Sequence, residues 1–214
     1  MFKKIVASVA VAGMLMVASP AIAATGKVQT AGAACTESGA VVMTKTASQY
    51  CSLNDEGKLV WSKLMKSSKA NLSMADAWVK VAEKTGMMSM SAAFGTFVNN
   101  SSKPIRLVAA YSSITGYMQL HEVTMKDGAM KMQQKEGGFL IPAGGSYQLK
   151  PGADHAMIMT LKKSITPGQL IGITFIASDG QRFYQPFLAK VYSGGNETYD
   201  PTPASADTGM SMGN

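Results

Sequence analysis

The chain has 214 residues, with 20 Lys and Arg against 13 Asp and Glu, a formal net charge of +7, and 46% hydrophobic against 15% charged residues. That length buries a full core, and that composition excludes wholesale disorder and collagen-like repeats. The basic excess is spread along the chain, which gives no footing for nucleic-acid binding, and beyond the N-terminus no apolar run approaches the roughly 20 residues of a membrane span.

In chain order, residues 1–23 come first. Lys3 and Lys4 precede an apolar stretch from Ile5 to Val17, then Ser19-Pro20-Ala21-Ile22-Ala23. This is the pattern of a signal peptide cleaved after Ala23, so the mature protein is expected outside the cytoplasm, in the periplasm, the envelope or the medium, with no membrane span left. Cys35 follows Gly32-Ala33-Ala34 and lacks an aliphatic-led lipobox, which argues against a lipid anchor. Export places Cys35 and Cys51, the only cysteines, in an oxidising compartment and predicts a disulfide between them. Closing that loop is worth roughly 3 kcal/mol in the chain-entropy model.

Residues 24–34 read as a flexible lead, 35–66 as a small two-cysteine module, 67–73 as a linker, 74–191 as the main domain and 192–214 as a disordered, Met-containing tail. The module ends in Gly57-Lys58-Leu59-Val60-Trp61 and resembles the short two-cysteine units of secreted actinobacterial proteins. Because it lies outside the main domain, replacing both cysteines is expected to leave that domain's chemistry intact.

The main domain reads as strands. Runs at 92–98, 105–111, 117–125, 129–134, 139–141, 146–149, 155–161, 170–176 and 182–191 are β-compatible and closed by turn residues such as Asp127-Gly128, Pro151-Gly152, Pro167-Gly168 and Asp179-Gly180. That spacing predicts an all-β sandwich or barrel, with Trp78 as a core anchor near its start.

The chain has 17 methionines and only two histidines, and the two types fall together. Asp127-Gly128 predicts a two-residue hairpin turn in which Lys126 pairs with Ala129, Met125 with Met130 and Val123 with Met132. Strand alternation then puts His121, Val123, Met125, Met130 and Met132 on one face, and likewise His155, Met157 and Met159. Imidazole and thioether donors together select Cu(I) over the hard cations.

These residues resemble the periplasmic copper A chaperone (PCuAC) family, marked by His, ten residues, Met, about twenty-one residues, then His-x-Met. Here ten residues separate His121 from Met132, and twenty-two separate Met132 from His155-Ala156-Met157. Ile141-Pro142-Ala143-Gly144-Gly145 and Leu149-Lys150-Pro151-Gly152 match as well. Val123 stands where the family often has Met, and Asp154, where it often has a bulky residue, places an anion beside His155. The resemblance implies a cupredoxin-like Greek-key β-sandwich that binds Cu(I) through His121, Met132, His155 and Met157. It also implies transfer toward the binuclear copper centre of a cytochrome c oxidase subunit, alongside Sco-like proteins.

A strand methionine ordinarily fills a core, so Met125, Met130 and Met159 read first as packing residues. Met130, Met159, Met210 and Met212 are candidate auxiliary donors, and Met87 to Met90 divides evenly between packing and a secondary contact. No thiolate follows Cys51, which argues against a blue-copper electron carrier, and no catalytic constellation is assembled, so no enzyme is expected. Envelope copper storage without an oxidase partner is the alternative. Two histidine ligands predict about two protons displaced per copper bound.

Overall fold

The computed structural model describes residues 26–54, 56–86, 88–126 and 128–194, and the backbone of 198–199. The signal peptide, Met87, Met210 and Met212 lie outside these residues. Every regular element among the described residues is a strand, and no helix is long and apolar enough to cross a membrane.

The N-terminal unit carries β1 (Val41–Met43), β2 (Ala47–Leu53), β3 (Leu59–Trp61) and β4 (Met65–Lys66), all antiparallel to or paired with β2. Cys35 and Cys51 are disulfide-bonded, with their Cα atoms 6.1 Å apart. Then come β5 (Ser68–Lys69), β6 (Leu72–Lys80), β7 (Ser91–Asn99), β8 (Ile105–Tyr111), β9 (Thr115–Lys126) and β10 (Ala129–Gln134). The chain continues through β11 (Phe139–Ile141), β12 (Ser146–Leu149), β13 (His155–Leu161), β14 (Leu170–Ala177), β15 (Gln181–Lys190) and β16 (Thr198–Tyr199).

Hydrogen bonding runs β11-β8-β14-β15-β6-β7-β13-β9-β10-β16, with β12 on β7 and β5 on β15. This path folds over on itself. Phe97 of β7 meets Phe175 of β14 edge-on at 4.9 Å between ring centroids, so the β7-β13-β9 layer faces the β8-β14-β15 layer. β7 and β9 lie in one layer and β8 in the other, giving the crossing connections of a cupredoxin-like Greek-key sandwich. Alternation explains the core: Met118, Leu120, Ala156 and Ile158 point inward with Phe139, Ile141, Phe175 and Phe187. The odd-numbered neighbours Gln119, His121, His155 and Met157 therefore face outward from the same strands.

The module packs directly on the sandwich. Met43 is fully buried against Ala109 and Ile176, and the Arg182 guanidinium donates to the carbonyl of Thr44 at 3.0 Å and to that of Ala47. Residues 67–73, linker-like in composition, hold β5, which pairs with β15, and the buried Ala70, whose N–H donates to Arg182 O at 2.8 Å. Trp78 is half-buried rather than a core anchor. Its ring stacks at 4.5 Å on Phe94 and meets Tyr192 edge-on at 5.4 Å, while the next residue, Val79, enters the core. A bulge between Ala75 and Trp78, with Asp76 at φ 52°, shifts the register of β6 and turns the indole outward.

Candidate metal centre

The β9–β10 hairpin has the register that its Asp-Gly turn predicts: Lys126 opposite Ala129, Met125 opposite Met130, Val123 opposite Met132 and His121 opposite Gln134. On its other edge β9 pairs with β13, with His121 directly opposite His155 and Gln119 opposite Met157. Two histidines 34 positions apart in sequence thereby become cross-strand neighbours, their rings 5.4 Å apart at 67°. The same face carries Met132 on β10 beyond His121 and Met157 beside His155.

The hydrogen bonds of the two rings assign their tautomers, since a carbonyl oxygen only accepts. His121 Nε2 donates to Gln119 Oε1 at 2.8 Å, which leaves the lone pair on Nδ1. His155 Nδ1 donates to Ala153 O at 2.8 Å, which leaves the lone pair on Nε2. Backbone or amide acceptors on the second ring nitrogen are the usual means of fixing a metal-binding imidazole. His121 is fully buried. Burial first, and the nearby His155 second, lower its pKa to about 3, so it is neutral and able to coordinate at any physiological pH.

Asp154, next to His155 in sequence, is tied into a hydrogen-bonded network. Its carboxylate accepts from the Tyr147 hydroxyl and lies 3.5 Å from Lys135 Nζ, which also bridges to Glu122 at 2.6 Å. Desolvation, then the Asp154 carboxylate, raises the Tyr147 pKa, which keeps the phenol protonated as the donor. This network sits on the alternate face of β9 and ties together the segments that carry both histidines.

Met132, His155 and Met157 line one open cleft of about 280 Å³, with Met90, Phe94, Lys80 and Tyr192 among its other walls. His121 lies behind it, below the surface. Met130 and Met159 do not line the cleft: Met130 is 43% exposed toward the hairpin tip, and Met159 is 1% exposed. Met125, at 66% exposed, is not the packing residue its strand position suggests. Met90, weighed evenly in the sequence between packing and contact, stands in the cleft wall as a third thioether. Met90 precedes β7 while Met132 lies on β10 and Met157 on β13, so no local spacing joins the three. Among the described residues no three His, Cys, Asp or Glu side chains converge; the cleft offers the His155 imidazole and thioethers, with the His121 imidazole behind it, a soft donor set.

Residues 72–184 match the family model of the lipoprotein LpqE-like proteins. The chain belongs to the LpqE-like family. A relative from Leifsonia xyli subsp. xyli, the lipoprotein Lxx21020, is 41% identical over 126 residues, which span 59% of this chain and 74% of that one. Among solved structures, this LpqE-like chain is similar to the copper-bound PCuAC domain from PmoF2, at a TM-score of 0.46 and 16% identity over 58% of this chain and 97% of that domain. It is also similar to the Cu(I) form of DR1885 from Deinococcus radiodurans, at a TM-score of 0.42 and 29% identity over 57% and 81% of the two chains. In this LpqE-like chain Cys35 and Cys51 are joined to each other.

Proposed function

We propose that this LpqE-like protein is an exported Cu(I) carrier, with His121, Met132, His155 and Met157 as the ligands and the metal as cargo. The observation that carries this reading is the cross-strand pairing of His121 with His155, rings 5.4 Å apart, beside a cleft walled by Met132 and Met157. Two imidazoles and two thioethers match the softness of Cu(I) and supply no carboxylate that would hold a hard cation. With both cysteines in a disulfide, no thiolate is at hand for electron-transfer copper chemistry, and the weaker thioethers at an open cleft suit a site that takes up and releases metal. Export agrees with the disulfide, with the N-terminal pattern and with the lipoprotein name of the Leifsonia relative.

The expected recipient is the binuclear copper centre of a cytochrome c oxidase. Titration of the purified protein with Cu(I) against a competing chelator is expected to give one tightly bound copper per chain. Deletion of its gene is expected to lower oxidase activity in low copper and to be rescued by added copper. Full oxidase activity with reduced copper tolerance would assign it to storage instead.

Met90 supplies a graded test. Replacing it with Leu keeps volume and apolarity while removing the sulfur, so folding stability is expected to be unchanged within about 1.5 kcal/mol. Cu(I) uptake by rapid mixing is expected to slow severalfold, because Met90 is the cleft thioether outside the four-ligand set. An unchanged uptake rate would leave Met90 as packing alone.

A further inference from the structure

The outward face of β9 and β13 carries a fully buried imidazole, and an outward face is buried only where something covers it. The two-cysteine module reaches β9 just before that imidazole, at Met118 and Gln119. Gly39 lies against β9 so closely that a Cβ there would stand 2.2 Å from Met118 O and 3.5 Å from Gln119 Cγ, and its φ of +83° also favours glycine. Gly39 N–H donates to Cys51 O at 2.9 Å, and Cys51 N–H donates to Ala40 O at 2.8 Å, so the disulfide-bonded strand itself holds this loop. The adjoining Ser38 O accepts from Gln119 Nε2 at 3.4 Å, and Gln119 Oε1 accepts from His121 Nε2 at 2.8 Å. A chain of contacts therefore runs from Cys51 through the 38–40 loop and the Gln119 amide to the imidazole of His121.

We infer that Gln119 is a positioning residue of the metal centre and that the disulfide-linked module is its clamp, fixing His121 in the tautomer that presents Nδ1 to the metal. The module is thus part of the centre, contrary to the independence that its place in the sequence suggests. The inference rests on the Cu(I) reading for its affinity consequence, but the tautomer itself is a property of the metal-free protein. Partners at this remove from a metal are worth about tenfold to a hundredfold in affinity.

Two measurements on the full chain test it. In the metal-free protein, long-range nitrogen–proton NMR is expected to show His121 as the Nε2–H tautomer. In Gln119→Leu and in the Cys35→Ser, Cys51→Ser double variant that ring is expected to become a mixture while His155 keeps its Nδ1–H signature. In competition titrations both variants are expected to bind Cu(I) about tenfold to a hundredfold more weakly. Gly39→Ala, which pushes the loop off β9 without touching a cysteine, is expected to behave like the double variant. An unchanged His121 tautomer in Gln119→Leu, or wild-type affinity in that variant, overturns the inference. Failure of the wild type to bind one Cu(I) would remove the carrier reading, and the tautomer measurement would still decide the clamp.

Discussion

Replacing both His121 and His155 is expected to lower Cu(I) affinity by on the order of a hundredfold or more, above the range that outer partners alone command. The two single variants are expected to fail in different ways. His155 is 5% exposed but lines the cleft that Met132 and Met157 share, so the space left by His155→Ala opens to that cleft and the variant is expected to lose a ligand more than stability. His121 is 0% exposed, and truncation to Ala would open a void in the buried interior as well as delete a donor. A large-to-small change at such a site costs about 2 to 5 kcal/mol by the precedent of buried side chains. His121→Gln, which fills most of the space, separates the two effects and is expected to lose metal while unfolding near the wild-type denaturant concentration. Chelator competition gives affinity, and urea unfolding of the metal-free proteins gives stability. A double variant that still takes up one Cu(I) with wild-type affinity would move the site away from the histidine pair altogether.

The contrast between these two histidines shows what the sequence carries and what it does not. Each observed strand from β7 to β15 lies within two or three residues of a β-compatible run, because Asp-Gly and Pro-Gly pairs close those runs and alternation fills them. The Asp127-Gly128 spacing dictates the hairpin register residue by residue, and with it the shared face of His121 and Met132. The strand β6 is harder to read because the bulge at Ala75 to Trp78 breaks its alternation, and Trp78 turns toward Phe94 and Tyr192 instead of the core. Nothing local encodes the burial of His121. Nor does anything local encode the docking of the module beside it, where Gly39 meets Met118 across some eighty residues of chain, a contact made by shape and by backbone carbonyls that every residue possesses. For the same reason Ser38 and Gln119 gave no signal: neither type is a ligand, and their role exists only once the module is docked.

Burial of His121 also changes the expected dependence on pH. Two histidine ligands of ordinary pKa would each shed a proton on binding copper, giving a slope of about two in log K against pH in the acid range. Desolvation, and then His155, lower His121 to about 3, so in the folded protein it carries no proton to displace between about pH 5 and 8. The limiting slope is then expected to fall to about one or less. The same burial makes the metal-free fold sensitive to acid. Unfolding releases His121 to its ordinary pKa near 6.5, so between about 6.5 and 3 the unfolded chain binds a proton that the native chain does not. Stability is therefore complete above about pH 6.5 and falls as pH drops, by up to about 1.4 kcal/mol per pH unit from this residue. Carboxylates add their own acid sensitivity, and the difference between wild type and His121→Gln isolates the histidine. Urea unfolding at about pH 7 and 4.5 is expected to show wild type losing more stability than the variant by roughly 2 kcal/mol. Copper bound at His121 holds the imidazole unprotonated in the native state and is expected to offset part of that loss wherever the metal stays bound. A His121 resonance that titrates near 6.5 in the folded protein, or a copper-binding slope of two, would mean that the ring is solvated.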